Sequence, residues 1–170
     1  MLRLSCLALL LWCACATPAR AEKIVAEAPP PLGDRYEIKF PKPPNYERGS
    51  SGGEPMHQFK LLEKKVEYQL GYLTVAGLQA RADPKATQRA VEGQIKESLS
   101  ANGVRILASE AVTLANTEFA KSFVGTREGQ TVAGLGCASG DRLYVLMTQL
   151  DQSDPAQVSA GKAFTASFRP

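Results

Sequence analysis

Apolar residues recur along this chain with two different periods, and the switch between them divides it into elements. Phe59 and Leu61 alternate with polar neighbours. Glu63-Lys64-Lys65 interrupts them, and Val66, Tyr68, Leu70 and Tyr72 then mark one apolar face opposite Glu67, Gln69 and Gly71. A period of two on both sides of a polar tripeptide predicts a β-hairpin. Past residue 83 the period lengthens. Val91, Ile95 and Leu99 recur every four residues with Ala90 beside them, while Arg89, Glu92 and Lys96 point the other way. That spacing predicts a helix with one buried and one wet face. Asp83 is its expected N-cap, Pro84 its first helical residue, and Gly103 the site of a left-handed C-terminal cap.

Four further strands are expected at about residues 104–114, 118–127, 130–138 and 142–150, joined by the short segments "AN", "REG" and "SGD". Connections this short, built from Gly, Asn and Asp, are hairpin turns, so these strands should be antiparallel neighbours. The chain then repeats the cap-plus-proline device at Asp154-Pro155, and Val158, Gly161, Phe164 and Phe168 lie on one side of a second helix. Ahead of the hairpin, Tyr36, Ile38 and Phe40 alternate with charged residues and predict the first strand. "YERGSSGGEP", residues 46–55, reads as a flexible surface loop. The order β-β-β-α-β-β-β-β-α implies an α+β fold: a meandering antiparallel sheet of about six or seven strands packed with two amphipathic helices, an α/β/α sandwich in a single domain over residues 35–170.

The opening "F-P-x-P" (Phe40, Pro41, Pro43), the hairpin, the long helix, the run "DRLYVLMT" with Leu143 and Tyr144, the Asp-Pro loop and the ending with Ser167 and Phe168 resemble the PsbP/Mog-like superfamily. That superfamily includes the photosystem II oxygen-evolving extrinsic P protein and the Ran-binding Mog proteins. The resemblance covers residues 35–170, and the matching residues bear the fold rather than chemistry. It implies a protein-binding role and transfers no catalytic, cofactor or metal residue, since a fold alone does not fix function.

The first residues carry a single charge, Arg3, followed by an apolar run from Leu4 to Ala16 and then Pro18 and Ala19-Arg20-Ala21. The run is too short to span a bilayer, which takes about 20 apolar residues. Its length and the small-x-small pattern predict a signal peptide over residues 1–21, with cleavage after Ala21. The alternative is lipid attachment at Cys15, for which Trp12 and Cys13 are poor surroundings. Residues 22–34, containing Pro29-Pro30-Pro31, then form an extended tether. An extracytoplasmic location, periplasmic or secreted, follows.

Removing the leader changes the charge and the thiols. The basic count falls from 20 to 18 against 17 acidic residues, leaving a net charge near +1. A nucleic-acid partner is therefore not expected, because such binding needs a concentrated positive footprint. Cys6, Cys13 and Cys15 leave as well, so Cys137 has no partner for an internal disulfide and is expected as a small core residue.

Few groups could support catalysis. A thiol nucleophile at Cys137 would need the lone histidine, His57, within hydrogen-bond reach, and His57 reads as a solvated strand residue. One His and one Cys cannot fill a zinc site, which takes three or four ligands. Asp141, Asp151 and Asp154 are spread over a turn and a loop, where capping and turn formation are their ordinary duties. "GLGCASG" has glycines but no helix after it, so it is read as close strand packing rather than a phosphate loop. Glu67, Glu110, Glu118 and Glu128 fall on alternate strand positions or turns with no pairing for glycoside hydrolysis. The expectation is a non-catalytic domain without cofactor or metal that binds another envelope or secreted protein. The alternative is a small apolar ligand held between sheet and helix. A continuous core favours the first, and an aromatic-lined pocket with a few polar groups favours the second.

Overall fold

The polar tripeptide expected to reverse the chain does so. Lys64 and Lys65 adopt positive φ values of 50° and 67°, the pair that a type I′ turn requires and whose twist matches the flanking strands. The same device recurs at Glu128-Gly129, with φ values of 52° and 80°. The computed structural model describes residues 36–51, 53–75 and 84–170. The leader, the tether and the Asp83 cap lie outside these residues. The elements are β1 (Asn45–Ser51), β2 (Glu54–Glu63), β3 (Val66–Thr74), α1 (Pro84–Ala101), β4 (Arg105–Ala111), β5 (Phe119–Arg127), β6 (Gln130–Ser139), β7 (Arg142–Leu150) and α2 (Pro155–Ala166). They build one seven-stranded sheet in the order β1-β2-β3-β7-β6-β5-β4. Every pairing in it is antiparallel.

Strand alternation splits the core into two layers. On one face Phe59, Tyr68, Leu70, Tyr72, Leu135, Cys137, Tyr144 and Leu146 pack with Phe164 of α2 and with Tyr36 and Phe168. On the other, Leu73, Phe123, Val132, Leu143, Val145 and Met147 pack beneath Val91, Ile95 and Leu99 of α1. The helices therefore cover opposite faces, and the α/β/α arrangement expected from the periodicity is present. Gly136 makes the α1 side possible: a Cβ there would collide with Ile95, which settles directly on the β6 backbone.

Both helix ends use the chemistry their residues offer. Asp154 accepts hydrogen bonds from the Ala156 and Gln157 amides at 2.9 and 3.4 Å, with Pro155 next to it in the first turn. Gly103, at φ 73°, closes α1, and the Val104 amide donates back to the Leu99 carbonyl at 2.9 Å.

Two expectations fail at the start of the domain. Residues 46–55, read as a loop, hold β1 and the first residues of β2, paired from Asn45↔Lys60 to Ser51↔Glu54. Glycine and serine disfavour a strand, but the free edge of β2 supplies the backbone partners, and tertiary context overrides propensity. Residues 36–40, read as a strand, make only the bridge Glu37↔Arg169. Their apolar side chains fill the core on the α2 side instead: the Phe40 ring lies 5.0 Å from Phe164 of α2, and the Tyr36 ring 5.5 and 5.7 Å from Tyr72 and Tyr144 of the sheet.

Candidate functional site

Register places the two residues considered for thiol chemistry on one row of the sheet and keeps them apart. His57 faces Tyr72, Tyr72 faces Tyr144, and Tyr144 faces Cys137. His57 and Cys137 thus sit three strand spacings apart, about 14 Å, with two tyrosines between them. Cys137 is fully buried and free. Burial, assisted by the Glu118 charge, pushes its thiol up to about 12, which is the opposite of activation.

His57 is not the solvated residue its polar neighbours suggested. Its ring stacks on Tyr72 with centroids 4.6 Å apart, and the Tyr46 hydroxyl is hydrogen-bonded to Nδ1 at 2.8 Å. Partial burial, followed by the charges of Arg48 and Arg142, holds its pKa below the ordinary value. The Arg142 guanidinium lies 5.0 Å from the centre of the Tyr72 ring, so imidazole and guanidinium share one aromatic platform. This cluster packs the end of the sheet.

The acidic residues have structural duties. Asp151 accepts from the Ser153 hydroxyl and amide at 2.7 and 2.9 Å, which holds its carboxyl below the usual range. Asp154 caps α2. Glu118 accepts from the Gly140 amide at 3.1 Å. Glu110 and Glu128 are exposed. Glu67 departs from the expected wet position: it is half-buried and ion-paired with Arg127. Among the described residues no three His, Cys, Asp or Glu side chains converge on one point. Within "GLGCASG", Gly134 and Gly136 accommodate the Phe123 ring and Ile95, the close packing expected of strand glycines.

Hollows in the surface are unequal. Beside α1 a cavity of about 20 Å³, room for about one water molecule, is floored by Gly71, Val145 and Met147 and rimmed by Met56, Ser98 and Asn102. Two larger hollows, about 150 and 230 Å³, border β4. Ile95 and Leu99 of α1 line the first together with Ile106 and Phe123, so it lies between helix and sheet, with the Glu92–Lys121 ion pair at 3.2 Å on its rim. Ala108, Ser122 and Val124 line the second.

β4 is one of the two open edges of the sheet, β1 being the other. It pairs only with β5, and every residue but Ile106 is exposed. A bulge interrupts it: Ile106 faces Gly125 and Ala108 faces Val124, so Leu107 is the extra residue. Gly125 permits the distortion, because a Cβ there would stand 2.6 Å from the Arg105 carbonyl oxygen. A bulge re-aims the side chain at its centre, and Leu107 is 59% exposed, with Val124 beside it at 42%. The sequence hid this feature, because the apolar pair Ile106-Leu107 reads as ordinary strand. Among the described residues, no helix is long and apolar enough to cross a membrane. Compared with models of known protein families and with curated proteins, the chain matches none.

Proposed function

We propose that this chain is an exported, non-catalytic binding module of the PsbP/Mog-like kind, and that its β4 edge takes up an extended segment of a protein by strand addition. The observation that carries the reading is the open edge Arg105–Ala111 with Leu107 59% exposed at its bulge. An edge strand offers a row of backbone donors and acceptors, so a partner strand gains affinity from main-chain hydrogen bonds and selectivity from side-chain hollows. The hollows that border β4 supply the second. Arg105 and Glu110 discourage indiscriminate pairing, as charges on edges do. Further support comes from the deep burial and high pKa of Cys137, which favour packing over chemistry. The alternative, an apolar ligand between α1 and the sheet, has in its favour the space of about one water at Gly71 and the hollow of about 150 Å³ that Ile95 and Leu99 share with Ile106 and Phe123, which is small beside the roughly 300 to 1,000 Å³ of ordinary ligand sites.

The test is a photocrosslinking residue placed at Leu107 and, as a more accessible control, at Leu62, which is 72% exposed at the far side of the sheet. In cells exporting the protein, a discrete adduct is expected from position 107 and none from position 62. Adducts from position 62 alone, or equally from both, would sink the proposal.

A further inference from the structure

The bulge in β4 does more than expose a leucine; it changes which side chains share a face. Arg105 faces Thr126 and Glu110 faces Ser122 across the β4–β5 ladder. Thr126 and Ser122 are an even number of residues apart, so they lie on one face of β5. Arg105 and Glu110 therefore also share a face, although five positions separate them and a regular strand would put them on opposite sides. Ala108, opposite Val124, lies between them on that same face.

From this arrangement we infer that the occupant of the β4 edge is a second copy of this chain, joined antiparallel about a two-fold axis at Ala108 to give a continuous fourteen-stranded sheet of two seven-stranded halves. The inference rests on the edge-binding reading above and names its partner. With Ala108 facing its own copy, the Ile106-Leu107 bulge faces Ser109 of the second copy, and Arg105 comes opposite Glu110 of the second copy. Symmetry makes the charge pair twice. Opposite charges directly across a ladder stabilise pairing, and like charges destabilise it. Both groups are available. Glu110 is bonded only to the neutral Ser122 hydroxyl, at 3.4 Å, and Arg105 makes no ion pair among the described residues. At the axis the small Ala108 side chains let the strands approach, and the two Val124 side chains, each 42% exposed alone, extend one apolar strip across the junction.

The other edge lacks this complementarity. In β1 the charged residues Glu47 and Arg48 are adjacent and so face opposite sides, and Glu47 is already paired with Lys60 at 3.1 Å.

The experiment is sedimentation equilibrium of the full exported chain over a concentration series, with Arg105→Glu, Glu110→Arg and their mixture. Wild type should show a monomer–dimer equilibrium. Each single variant places like charges at both symmetric positions and should weaken the dimer about tenfold or more. Mixing the two variants should restore it. In a dimer of one copy of each, the copy acidic at both positions meets the copy basic at both, so opposite charges again face each other at both sites. Circular dichroism checks that both variants fold. A dimer indifferent to the charges, or no rescue on mixing, overturns the inference. If wild type stays monomeric while the Leu107 crosslinker captures a different protein, self-pairing is overturned and the edge reading stands. If it stays monomeric and Leu107 gives no adduct, both fall.

Discussion

The centre of the sheet and its β4 end are built on opposite principles. At the centre, β7 has a buried residue at every position from Leu143 to Leu150, because α1 and α2 cover both faces. At the β4 end, every residue of the strand except Ile106 is exposed, and its pairing register slips by one residue at Leu107. A strand closed on both sides has nothing left to offer a partner. A strand with one unpaired edge retains both hydrogen-bonding groups and side chains. On the proposed reading, the difference gives stability to one region and recognition to the other.

The comparison breaks most visibly if the centre proves soft. Phe164 is buried on α2, with the Phe40 and Tyr68 rings 5.0 and 5.2 Å away, so Phe164→Ala should cost about 3 to 5 kcal/mol in urea unfolding. That is a large share of the roughly 5 to 15 kcal/mol typical of a domain. An unchanged midpoint would show α2 to be loosely held and the centre open to displacement.

A second test of closure uses pH. The folded state holds the Cys137 thiol up at about 12 from an ordinary 9.0, so between those values the folded chain keeps a proton that the unfolded chain has released. Stability linked to Cys137 is therefore fully present below the ordinary value and falls as pH rises through this window, by up to about 1.4 kcal/mol per pH unit. Cys137→Ala should flatten that part of the curve by the same slope. Wild-type and variant profiles running parallel from about pH 9 to about pH 11 would mean the thiol is not sealed in.

Most of the closed region was legible in the sequence, and most of the open one was not. The Val91-Ile95-Leu99 and Tyr68-Leu70-Tyr72 spacings place side chains on one face whatever the neighbours, so α1 and β3 follow from local periodicity. β1 does not: Asn45–Ser51 has little apolar pattern and is a strand because β2 lies beside it. The misreading of His57 follows from that miss, since Tyr46, its hydrogen-bond partner, belongs to β1. Tyr36, Ile38 and Phe40 have a strand's period, yet they pack into the core on the α2 side of the sheet, because alternation reports a buried face and not a ladder. The bulge at Leu107 is set by the backbone of Gly125 on the next strand, a pairing that no window on β4 contains.

The smallest effect on stability should come from the edge itself. Leu107→Asp replaces an exposed side chain and should alter unfolding free energy by no more than about 0.5 kcal/mol, while abolishing the concentration dependence of sedimentation. A large loss of stability would make Leu107 part of the core and dissolve the contrast between the two regions.

Amide hydrogen exchange reads both free edges of the sheet in one experiment. Exchange is followed along residues 105–111 of β4 and 45–51 of β1 in dilute and in concentrated protein. Raising the concentration should slow exchange in β4 at the amides that point away from β5 and leave β1 unchanged. Exchange in β4 that ignores concentration, or equal slowing at β1, would contradict pairing through the β4 edge.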